Sequence, residues 1–463
     1  MYLRPLCNNL LLSVCSLILA LTLWLMWEEV VAGAAPESFE EDAGKVAVLP
    51  GFELGSHLSV TYTVYLPIIS KGYCDGKKLF GVQMYGEGGF SHVLSAGTKW
   101  VRWPISWGGI EPSNTTPDNY NWSYTDASIS NFYNAGINLV CTICCNPSWA
   151  AIYSEGPITN TADLAEFAGA LVERYDGDGY RDAPGSPTVR YWEFYNEPDG
   201  GWRGNGAGYA QMLKAVYLAV KAADPHALVV MGGLAYDNWQ IGFDRNFLDD
   251  VLASGGGNFF DVMNYHYFKI FDPVWASYGR GLIGKANYIR NKMAQYGVNK
   301  PLICTETGWF SFPNSSDEEQ SRYVPVGFIR GLAAGLDIVI WFSLVDTPEL
   351  ETAGWGLLDL NLNPKPSYKA YKTLISKLSG VCYDRPLSVN ETGSSDIEGY
   401  LFSNALRVVW TNSEVTREMY IYASQVHQTD KYGNSTIIYD GSDGVLDGRV
   451  KVTVGPSPIY LEP

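Results

Sequence analysis

The sequence predicts an α/β fold, a (β/α)8 TIM barrel followed by a small C-terminal antiparallel β-sandwich-like domain. Between residues 73 and 380, eight short apolar segments alternate with amphipathic helical stretches, which is the rhythm of parallel β/α units. From 381 to 463 the segments become short and alternating, and Gly, Asn and Asp separate them. The 463 residues are enough for one large core and an accessory domain.

The first 34 residues have the features of a secretory signal peptide. Arg4 precedes an apolar run at residues 10–27, and Ala32-Gly33-Ala34 is a small-x-small cleavage site. We therefore expect a secreted protein, in which residues 35–72 form a linker with one strand-like stretch. The alternative is an uncleaved membrane anchor at residues 10–27, because a run of this length can just span a bilayer. After cleavage no stable membrane association is expected.

The eight predicted barrel strands are short and rich in apolar residues. They span 79–86, 99–106, 137–144, 189–196, 227–235, 260–268, 301–309 and 337–345. Helical periodicity lies between them, for example at 161–175, where Thr161 is the predicted N-cap, and at 208–225.

The terminal domain, residues 381–463, is predicted from its own strands. They span 406–413, 418–424, 435–441, 449–455 and 458–463.

Charge and composition restrict the possible partners. The formal net charge is -17, whereas nucleic-acid binding needs a basic surface, so no nucleic-acid partner is expected. The same charge would repel a polyanionic substrate and slow its encounter. The 15 Trp and 31 Tyr supply flat apolar faces with a polar edge, which suit stacking on sugar rings. A neutral carbohydrate fits these features best.

The cysteines favour core packing over metal binding. Beyond the leader they are Cys74, Cys141, Cys144, Cys145, Cys304 and Cys382. The segment "CTICC" lacks the spacing of a zinc site and has no His nearby, and it belongs to a predicted buried strand. A disulfide between Cys74 and Cys382 would join the two ends of the barrel region. It is allowed outside the cell, but the sequence leaves the pairing open.

One acidic loop raises the question of a bound cation. Asp176, Asp178 and Asp182 in "DGDGYRD" are calcium-type ligands, yet the segment lacks the full twelve-residue loop and its closing Glu. We therefore favour a plain Gly/Asp turn, and no metal or other cofactor is expected.

Two glutamates fall at the ends of predicted barrel strands. Glu197 ends the fourth strand and is followed by Pro198, and Glu306 lies near the end of the seventh. Catalytic groups of such barrels lie at the carboxyl ends of the strands, so both side chains should face one mouth. Two carboxylates across a cleft are what glycosidic cleavage requires: a proton donor, and a nucleophile or base.

The two motifs together, "FYNEPD" and "CTETGW", resemble clan A of the retaining glycoside hydrolases over about residues 79–375. The resemblance implies that Glu197 is the acid/base and Glu306 the nucleophile. It also implies that Arg102 lies near the nucleophile and that Asn196 contacts the sugar 2-hydroxyl.

Further positions of the resemblance concern the aromatic residues and one His. "NYHYF" matches the strand-six motif of the family through His266, and "WFSLVD" matches its strand-eight Trp platform through Trp341. Four Trp residues follow strand-end motifs and either line sugar subsites or pack. They are Trp107, Trp149, Trp309 and Trp355, of which Trp149 and Trp309 are our candidates for substrate binding.

Two departures separate the chain from the cellulases of the clan. The family often has His-x-Tyr on strand six, whereas the third position here is Phe268, so the Tyr that holds the nucleophile is Tyr265, Tyr267 or absent. Strand three ends in "CNPSWA" and lacks the His of cellulase-like members. With its short terminal β-domain, the chain is more similar to the β-xylosidase and α-L-iduronidase family.

These features lead to one main hypothesis and two alternatives. The main hypothesis is a secreted retaining glycoside hydrolase, for which the two carboxyl groups should lie about 5 to 5.5 Å apart. The alternatives are a carbohydrate-binding barrel without activity, which the loss of the Tyr at Phe268 would allow, and a transglycosylase that uses the same residues.

Overall fold

The computed structural model describes residues 79–203, 205–235, 242–348 and 354–463. The first eight strands are β1 (Phe80–Gln83), β2 (Trp100–Ser106), β3 (Asn138–Cys144), β4 (Tyr191–Phe194), β5 (Leu228–Met231), β6 (Met263–Phe268), β7 (Leu302–Gly308) and β8 (Val339–Trp341). They are parallel and lie in the order β5-β4-β3-β2-β1-β8-β7-β6. Each of the eight predicted segments contains one of these strands.

The two edge strands of this sheet meet and close it into a barrel. Parallel bridges join Val230 of β5 to Val262 and Leu234 to Tyr265 of β6. The predicted TIM barrel is therefore confirmed, and the carboxyl ends of all eight strands point to one mouth.

Helices follow the strands and cover the outside of the barrel. They are α1 (Phe90–Ala96), α2 (Trp107–Ile110), α3 (Ser123–Asn134), α4 (Thr161–Arg174), α5 (Pro198–Gly201), α6 (Gly206–Ala223), α7 (Phe247–Ala253), α8 (Asp272–Trp275), α9 (Gly281–Gln295), α10 (Asp317–Ala333) and α11 (Pro366–Leu378). The predicted N-cap Thr161 is wrong by one residue. Asn160 caps α4, because its side chain accepts a hydrogen bond of 3.1 Å from the Ala162 N–H, and Thr161 is the first helical residue.

The barrel interior is apolar at the bottom and polar above. Alternate residues of a strand face the same side, so the inward residues of the strands form layers. A buried apolar cluster packs at the bottom, and it consists of Trp100, Val140, Val230, Val262, Ile303, Ile338 and Ile340. The next inward positions toward the mouth are polar or charged, for example Arg102 in β2 and Glu193 in β4.

The C-terminal part is an antiparallel two-layer domain, as predicted. Its elements are β9 (Tyr383–Pro386), α12 (Val389–Thr392), β10 (Ile397–Phe402), β11 (Arg407–Thr411), β12 (Arg417–Tyr422), β13 (Gln425–Asp430), β14 (Ser435–Tyr439), β15 (Arg449–Val454) and β16 (Ile459–Glu462). Six strands form one sheet in the order β14-β13-β16-β11-β10-β9, and β12 pairs with β15. Strands β9, β10 and β13 were not predicted from the sequence.

The larger sheet of this domain packs on the barrel with one face. Tyr400, Phe402 and Trp410 belong to the same buried apolar cluster as the barrel and its helices. Residues on the other face, such as Val409 and Leu461, pack against β12 and β15 in a separate cluster. The barrel and the larger sheet therefore share one core.

Several sequence predictions concern residues outside the described part. These are the signal peptide at 1–34 with its apolar run, the linker at 35–72, and Cys74. Cys382 is disulfide-bonded, whereas Cys141, Cys144, Cys145 and Cys304 are buried and not in disulfides, as expected for core residues. No helix among the described residues is long and apolar enough to cross a bilayer.

Candidate active site

The two candidate catalytic glutamates come together at the mouth of the barrel. Glu306 lies in β7 and Glu197 follows β4 by three residues, and only 3% and 4% of their surfaces are exposed. One carboxylate oxygen of each lies within 4.8 Å of the other, and a ring nitrogen of His266 lies within the same distance of both. The predicted pair therefore shares one buried site with His266.

The backbone turns sharply at Glu197 to direct its side chain into this site. Its φ of 43° is in the left-handed region, which costs a non-glycine residue about 1–2 kcal/mol. Pro198 then begins α5, where the fixed φ of proline suits the first helical position. The strained residue is held by the short helix after it, a situation common at functional sites.

Arg102 holds Glu306 and Asn196 at the same time. Its Nη1 donates to Glu306 Oε1 at 2.5 Å, and its Nη2 donates to Asn196 Oδ1 at 2.8 Å. The other side of the guanidinium binds Glu193, with Nε donating to Oε2 at 2.7 Å. One fork of donors thus fixes the orientation of Glu306 relative to the residue that precedes Glu197.

This arrangement depends on Glu193, which was not predicted from the sequence. Its fully buried carboxylate accepts hydrogen bonds from Thr142 Oγ1 at 2.6 Å and from Asn264 Nδ2 at 2.8 Å. Burial alone would raise the pKa of Glu193, but the charge and hydrogen bonds of Arg102 outweigh burial and lower it. An inward charged position in a core strand, four residues before Glu197, was the signal that could have identified it.

A chain of hydrogen bonds runs from Glu193 to Glu197 and fixes the tautomer of His266. Thr305 Oγ1 lies 3.2 Å from Glu193 Oε1, to which it donates because that carboxylate is ionised. Thr305 Oγ1 therefore accepts a hydrogen bond from the Nε2–H of His266, 3.1 Å away. The unprotonated Nδ1 of His266 then accepts from a protonated Glu197, whose Oε1 is 2.9 Å away.

A glycine makes room for the His266 ring. A β-carbon at Gly233 would lie only 2.2 Å from His266 Nε2, so no other residue fits beside this ring. The Gly233 N–H also donates to Glu193 Oε1 at 3.2 Å. The ring and the Glu193 carboxylate are thereby packed against the same backbone.

Burial also sets the charge of His266 and Glu306. Desolvation lowers the pKa of His266 to about 4, so the ring is neutral near pH 7. Burial raises the pKa of Glu306 above its ordinary value, while the charge of the Arg102 guanidinium opposes that shift.

The predicted platform, Trp341, faces away from the mouth. It is fully buried, its ring centroid lies 6.1 Å from that of Tyr323 in α10, and its Nε1 donates to Trp355 O. The next residue, Phe342, has the opposite direction and packs edge-on against Phe268, with 6.1 Å between ring centroids. An aromatic side chain therefore lies at the mouth after β8, but it belongs to Phe342.

The same alternation of directions applies to β6. Tyr265 is fully buried and donates from Oη to Leu282 O in α9, at 3.2 Å. The Tyr267 hydroxyl lies beside Gly281, where an added β-carbon would be 3.1 Å from it. Both tyrosines thus face the helices, and the structure does not bring either of them to Glu306.

The two candidate subsite tryptophans are half-buried near the strand ends. Trp149 donates from Nε1 to Glu111 O at 3.2 Å and meets Trp107 edge-on. Trp309 stacks on Phe310 at 4.7 Å between centroids. Tyr85, after β1, is a further aromatic residue of the mouth; it is 43% exposed and meets Phe342 edge-on.

The acidic loop at 176–182 is stabilised by its own backbone. Asp176 accepts from the Asp178 N–H at 3.0 Å, and Asp182 accepts from the Gly179 N–H at 2.9 Å. These are the hydrogen bonds of a Gly/Asp turn. One carboxylate oxygen of each Asp also lies within 4.8 Å of the others, so the preference for a plain turn over a cation site stays a prediction.

Comparison with known proteins agrees with this geometry. The family described as cellulase (glycosyl hydrolase family 5) matches residues 83–324, which is more than half of the chain. No curated protein matches the sequence.

Solved structures with the same fold include several glycoside hydrolases. A family 39 glycoside hydrolase from Bacteroides cellulosilyticus WH2 is 20% identical, with a TM-score of 0.68 over 84% of this chain and 81% of that one. A β-xylosidase from Caulobacter crescentus is 15% identical, with a TM-score of 0.56 over 84% and 97%. An α-L-arabinofuranosidase from Thermotoga maritima is 12% identical, with a TM-score of 0.55 over 84% and 96%.

At these identities the structural matches establish the fold, and the family match establishes membership. The barrel, the glutamates after β4 and in β7, and the match over residues 83–324 point to the same group. The chain belongs to the cellulase family, glycosyl hydrolase family 5, of clan A, and is an O-glycosyl hydrolase.

Proposed function

We propose that the chain is a secreted, retaining glycoside hydrolase of neutral oligo- or polysaccharides. The observation that carries the proposal is the close approach of Glu197 and Glu306, with carboxylate oxygens within 4.8 Å. Retaining enzymes hold their carboxyl groups about 5–5.5 Å apart, whereas inverting enzymes keep about 6.5–9.5 Å to admit a water molecule. The spacing therefore supports retention.

The contacts of the two glutamates divide the roles between them. Glu197 is the acid, because the neutral His266 ring offers its Nδ1 lone pair to a protonated carboxyl group. Glu306 is the nucleophile: Arg102 occupies its Oε1, which leaves Oε2 for attack on the anomeric carbon. Arg102 also favours the ionised form of Glu306, which the attack requires.

The reaction then has two steps on these two residues. Glu306 attacks the anomeric carbon while Glu197 gives its proton to the departing glycosidic oxygen, which leaves a glycosyl ester on Glu306. Glu197, now ionised, takes a proton from water as that water attacks the same carbon. Glu306 is released, and the configuration of the sugar is retained because it has been inverted twice.

The substrate class is inferred from charge and from the aromatic mouth. A net charge of -17 disfavours acidic saccharides, and the exposed Tyr85 and the half-buried Trp309 supply faces on which neutral sugar rings stack. Structures with this fold include a β-xylosidase and an α-L-arabinofuranosidase, so saccharides that contain pentoses are the first substrates to test.

Secretion is part of the proposal and is supported by the disulfide at Cys382. Disulfides form and persist mainly outside the cytosol, which agrees with the leader predicted at residues 1–34. The alternative is attachment to a membrane through residues 10–27.

Two variants test the proposed roles on a panel of xylo-, gluco-, manno- and galacto-configured aryl glycosides. Glu306→Ala should abolish hydrolysis of every member, and azide should restore a glycosyl azide of inverted configuration. Glu197→Ala should lose activity on poor leaving groups, which need a proton, and keep the first step on activated ones. The intermediate on Glu306 should then accumulate and be visible by mass.

The outcomes distinguish the alternatives. Equal loss by both variants on good and poor leaving groups, without azide rescue, would contradict the roles. Binding of saccharides with no release of any aglycone by the wild type would favour an inactive carbohydrate-binding barrel. Products that lengthen when an acceptor sugar is added would identify a transglycosylase.

A further inference from the structure

Two neighbouring cysteines at the end of β3 lie unusually close together. The sulfurs of Cys144 and Cys145 are 2.6 Å apart, although no disulfide joins them. Unbonded heavy atoms prefer separations of about 3.5–4 Å, and a disulfide bond measures about 2.05 Å. Cys145 has a left-handed backbone, with a φ of 60°, which turns its side chain back toward Cys144. The pair is therefore arranged for bond formation between the two sulfurs.

A metal site fits this pair less well. Glu155 offers a carboxylate oxygen within 4.8 Å of both sulfurs, which makes three potential ligands. Two thiolates bound to one zinc ion at about 2.3 Å in a tetrahedral site would be about 3.7 Å apart. The observed distance is much shorter, so the geometry favours oxidation over coordination.

The surroundings make one of the two thiols more reactive than the other. The hydrogen bond from Cys144 lowers the pKa of Cys145, and Ser106 adds to this effect against burial. The same contact and burial raise the pKa of Cys144. The thiolate is the attacking species in disulfide exchange, so Cys145 is the residue that reacts first.

The pair is linked to the residue beside the proposed acid. The Cys145 N–H donates to Glu155 Oε1 at 3.2 Å, and Glu155 also accepts from the backbone N–H of Asn196. The second oxygen of Glu155 is buried without a hydrogen-bond partner. The Glu155 side chain therefore transmits a movement of Cys145 to Asn196. Arg102 holds Asn196 next to Glu197.

We propose that Cys144 and Cys145 are a redox modification site that closes to a disulfide between adjacent residues and thereby adjusts the active site. The oxidant is a small disulfide such as oxidised glutathione. The Cys145 thiolate attacks one of its sulfurs and releases one thiol, which leaves a mixed disulfide. Cys144 then attacks the Cys145 sulfur and releases the second thiol. The two thiol protons end on the two released molecules, so atoms and electrons balance.

The test uses the full folded chain and begins with a readout that does not depend on activity. Wild-type protein is treated with oxidised glutathione, alkylated after unfolding, and mapped by peptide mass. The peptide with Cys144 and Cys145 should be unalkylated and two hydrogens lighter than its reduced form, and dithiothreitol should restore both thiols. Cys141, on the same strand, should remain alkylated. Glutathione retained on Cys145, two alkylated thiols, or stoichiometric bound zinc would each overturn the proposal.

A second measurement tests the link to the active site and relies on the proposed activity. Closure should change kcat/KM about two- to tenfold, the equivalent of one hydrogen bond, and dithiothreitol should reverse the change. Cys145→Ser should not respond to oxidised glutathione, and Cys144→Ser should stop at a mixed disulfide on Cys145 that is visible by mass. The matched control Cys141→Ser should respond as the wild type does. A closed disulfide with unchanged kcat/KM would contradict the link while leaving the hydrolase itself intact.

Discussion

At the scale of single residues, Glu193 organises the site although it touches neither candidate catalytic carboxylate. It binds the guanidinium that holds Glu306, and through Thr305 it sets the tautomer of the His266 ring that contacts Glu197. One buried negative charge thus orients the nucleophile on one side and the acid on the other. The two glutamates differ in role because their neighbours differ.

The first prediction concerns Thr305, which transmits the effect of Glu193. Thr305→Val keeps the shape but removes the acceptor for His266 Nε2, so the ring is free to protonate Nδ1 instead and to favour an ionised Glu197. Turnover of poor leaving groups should fall about ten- to a hundredfold, with little effect on activated aryl glycosides. Steady-state rates on a leaving-group series measure the difference.

The control for this prediction is Thr305→Ser, which keeps the hydroxyl and should keep most of the activity on poor leaving groups. Circular dichroism of both variants checks that the barrel is folded. An equal loss by the Val variant on good and poor leaving groups would show that Thr305 acts on packing and not on the acid.

The second prediction concerns the acid limb of activity. Glu306 must be ionised to attack, so activity on activated substrates should be lost as the pH falls through its pKa. Burial raises that pKa, so the midpoint of the acid limb should lie at a higher pH than the pKa of a free glutamate, about 4.3. Arg102→Lys removes the guanidinium that donates to Glu306 Oε1 while it binds Glu193 in a bidentate pair, and it should move the limb to higher pH. The pH profile of kcat/KM measures both.

A buried carboxyl group elsewhere serves as the control. Glu111 accepts a hydrogen bond from Trp107 Nε1 and lies outside the catalytic pair. Glu111→Gln should leave the limb where it is. A limb that moves to lower pH in Arg102→Lys would be incompatible with Glu306 as the titrating group.

At the scale of elements, the sequence located every barrel strand but not the direction of every side chain. In β8 the apolar cluster fixes Ile340 as inward, so Trp341 must face the helices and Phe342 the mouth. For the same reason Tyr265 and Tyr267 do not reach Glu306: they alternate with the inward His266 and therefore face the helices. A shift of one residue reverses the face, and a motif match does not fix that residue.

Irregular pairing explains a further limit of the sequence. The register between β7 and β8 shifts between Cys304 and Thr307, and Thr305 and Glu306 both contact groups inside the barrel. Strict alternation would have sent one of them outward. The missed strand β13 illustrates another limit, because "QVHQTD" is mostly polar and only Val426 and Thr429 are buried.

The third prediction separates the two aromatic residues at the end of β8. Phe342→Leu keeps apolar volume but removes the ring that positions the exposed Tyr85 edge-on at the mouth, so KM should rise about two- to tenfold with a small change in melting temperature. Trp341→Phe should instead lower the stability of the protein and leave KM unchanged. It loses the hydrogen bond to Trp355 O and packing against α10, which should cost about 1–3 kcal/mol of stability with unchanged KM.

Steady-state kinetics and thermal melting of the two variants provide the measurement. If Trp341→Phe raised KM and Phe342→Leu did not, Trp341 would be the platform that the sequence motif implies, and the direction of β8 would be wrong.

At the scale of the whole molecule, the terminal domain is built into the barrel. The two share an apolar core, and a buried ion pair crosses between them. Arg330 of α10 donates from Nε and Nη2 to the two oxygens of Glu398 in β10, each at 2.9 Å, and Tyr400 donates to the same carboxylate. A domain attached in this way should unfold together with the barrel.

The fourth prediction tests this cooperativity at the ion pair. Glu398→Gln removes the carboxylate that Arg330 contacts at 2.9 Å and leaves Arg330 with Asp272 at 3.7 Å, so it should lower the free energy of unfolding by about 1.5–3 kcal/mol. The double variant Arg330→Met with Glu398→Leu removes both charges, so it should cost less than Glu398→Gln alone. Urea unfolding, followed by fluorescence and circular dichroism, should give a single coincident transition in the wild type.

The pH dependence of stability follows from the same pair. Burial would raise the pKa of Glu398, but the charge of Arg330 outweighs burial and lowers it. A carboxyl group with a lowered pKa contributes its stabilisation above the pKa of the unfolded chain and loses it as the pH falls through the folded value. Wild-type stability should therefore fall toward acid pH more steeply than that of the Met and Leu double variant. Two separate unfolding transitions in the wild type would mean that the terminal domain folds on its own. Equal acid slopes in both proteins would mean that this ion pair does not join the domain to the barrel.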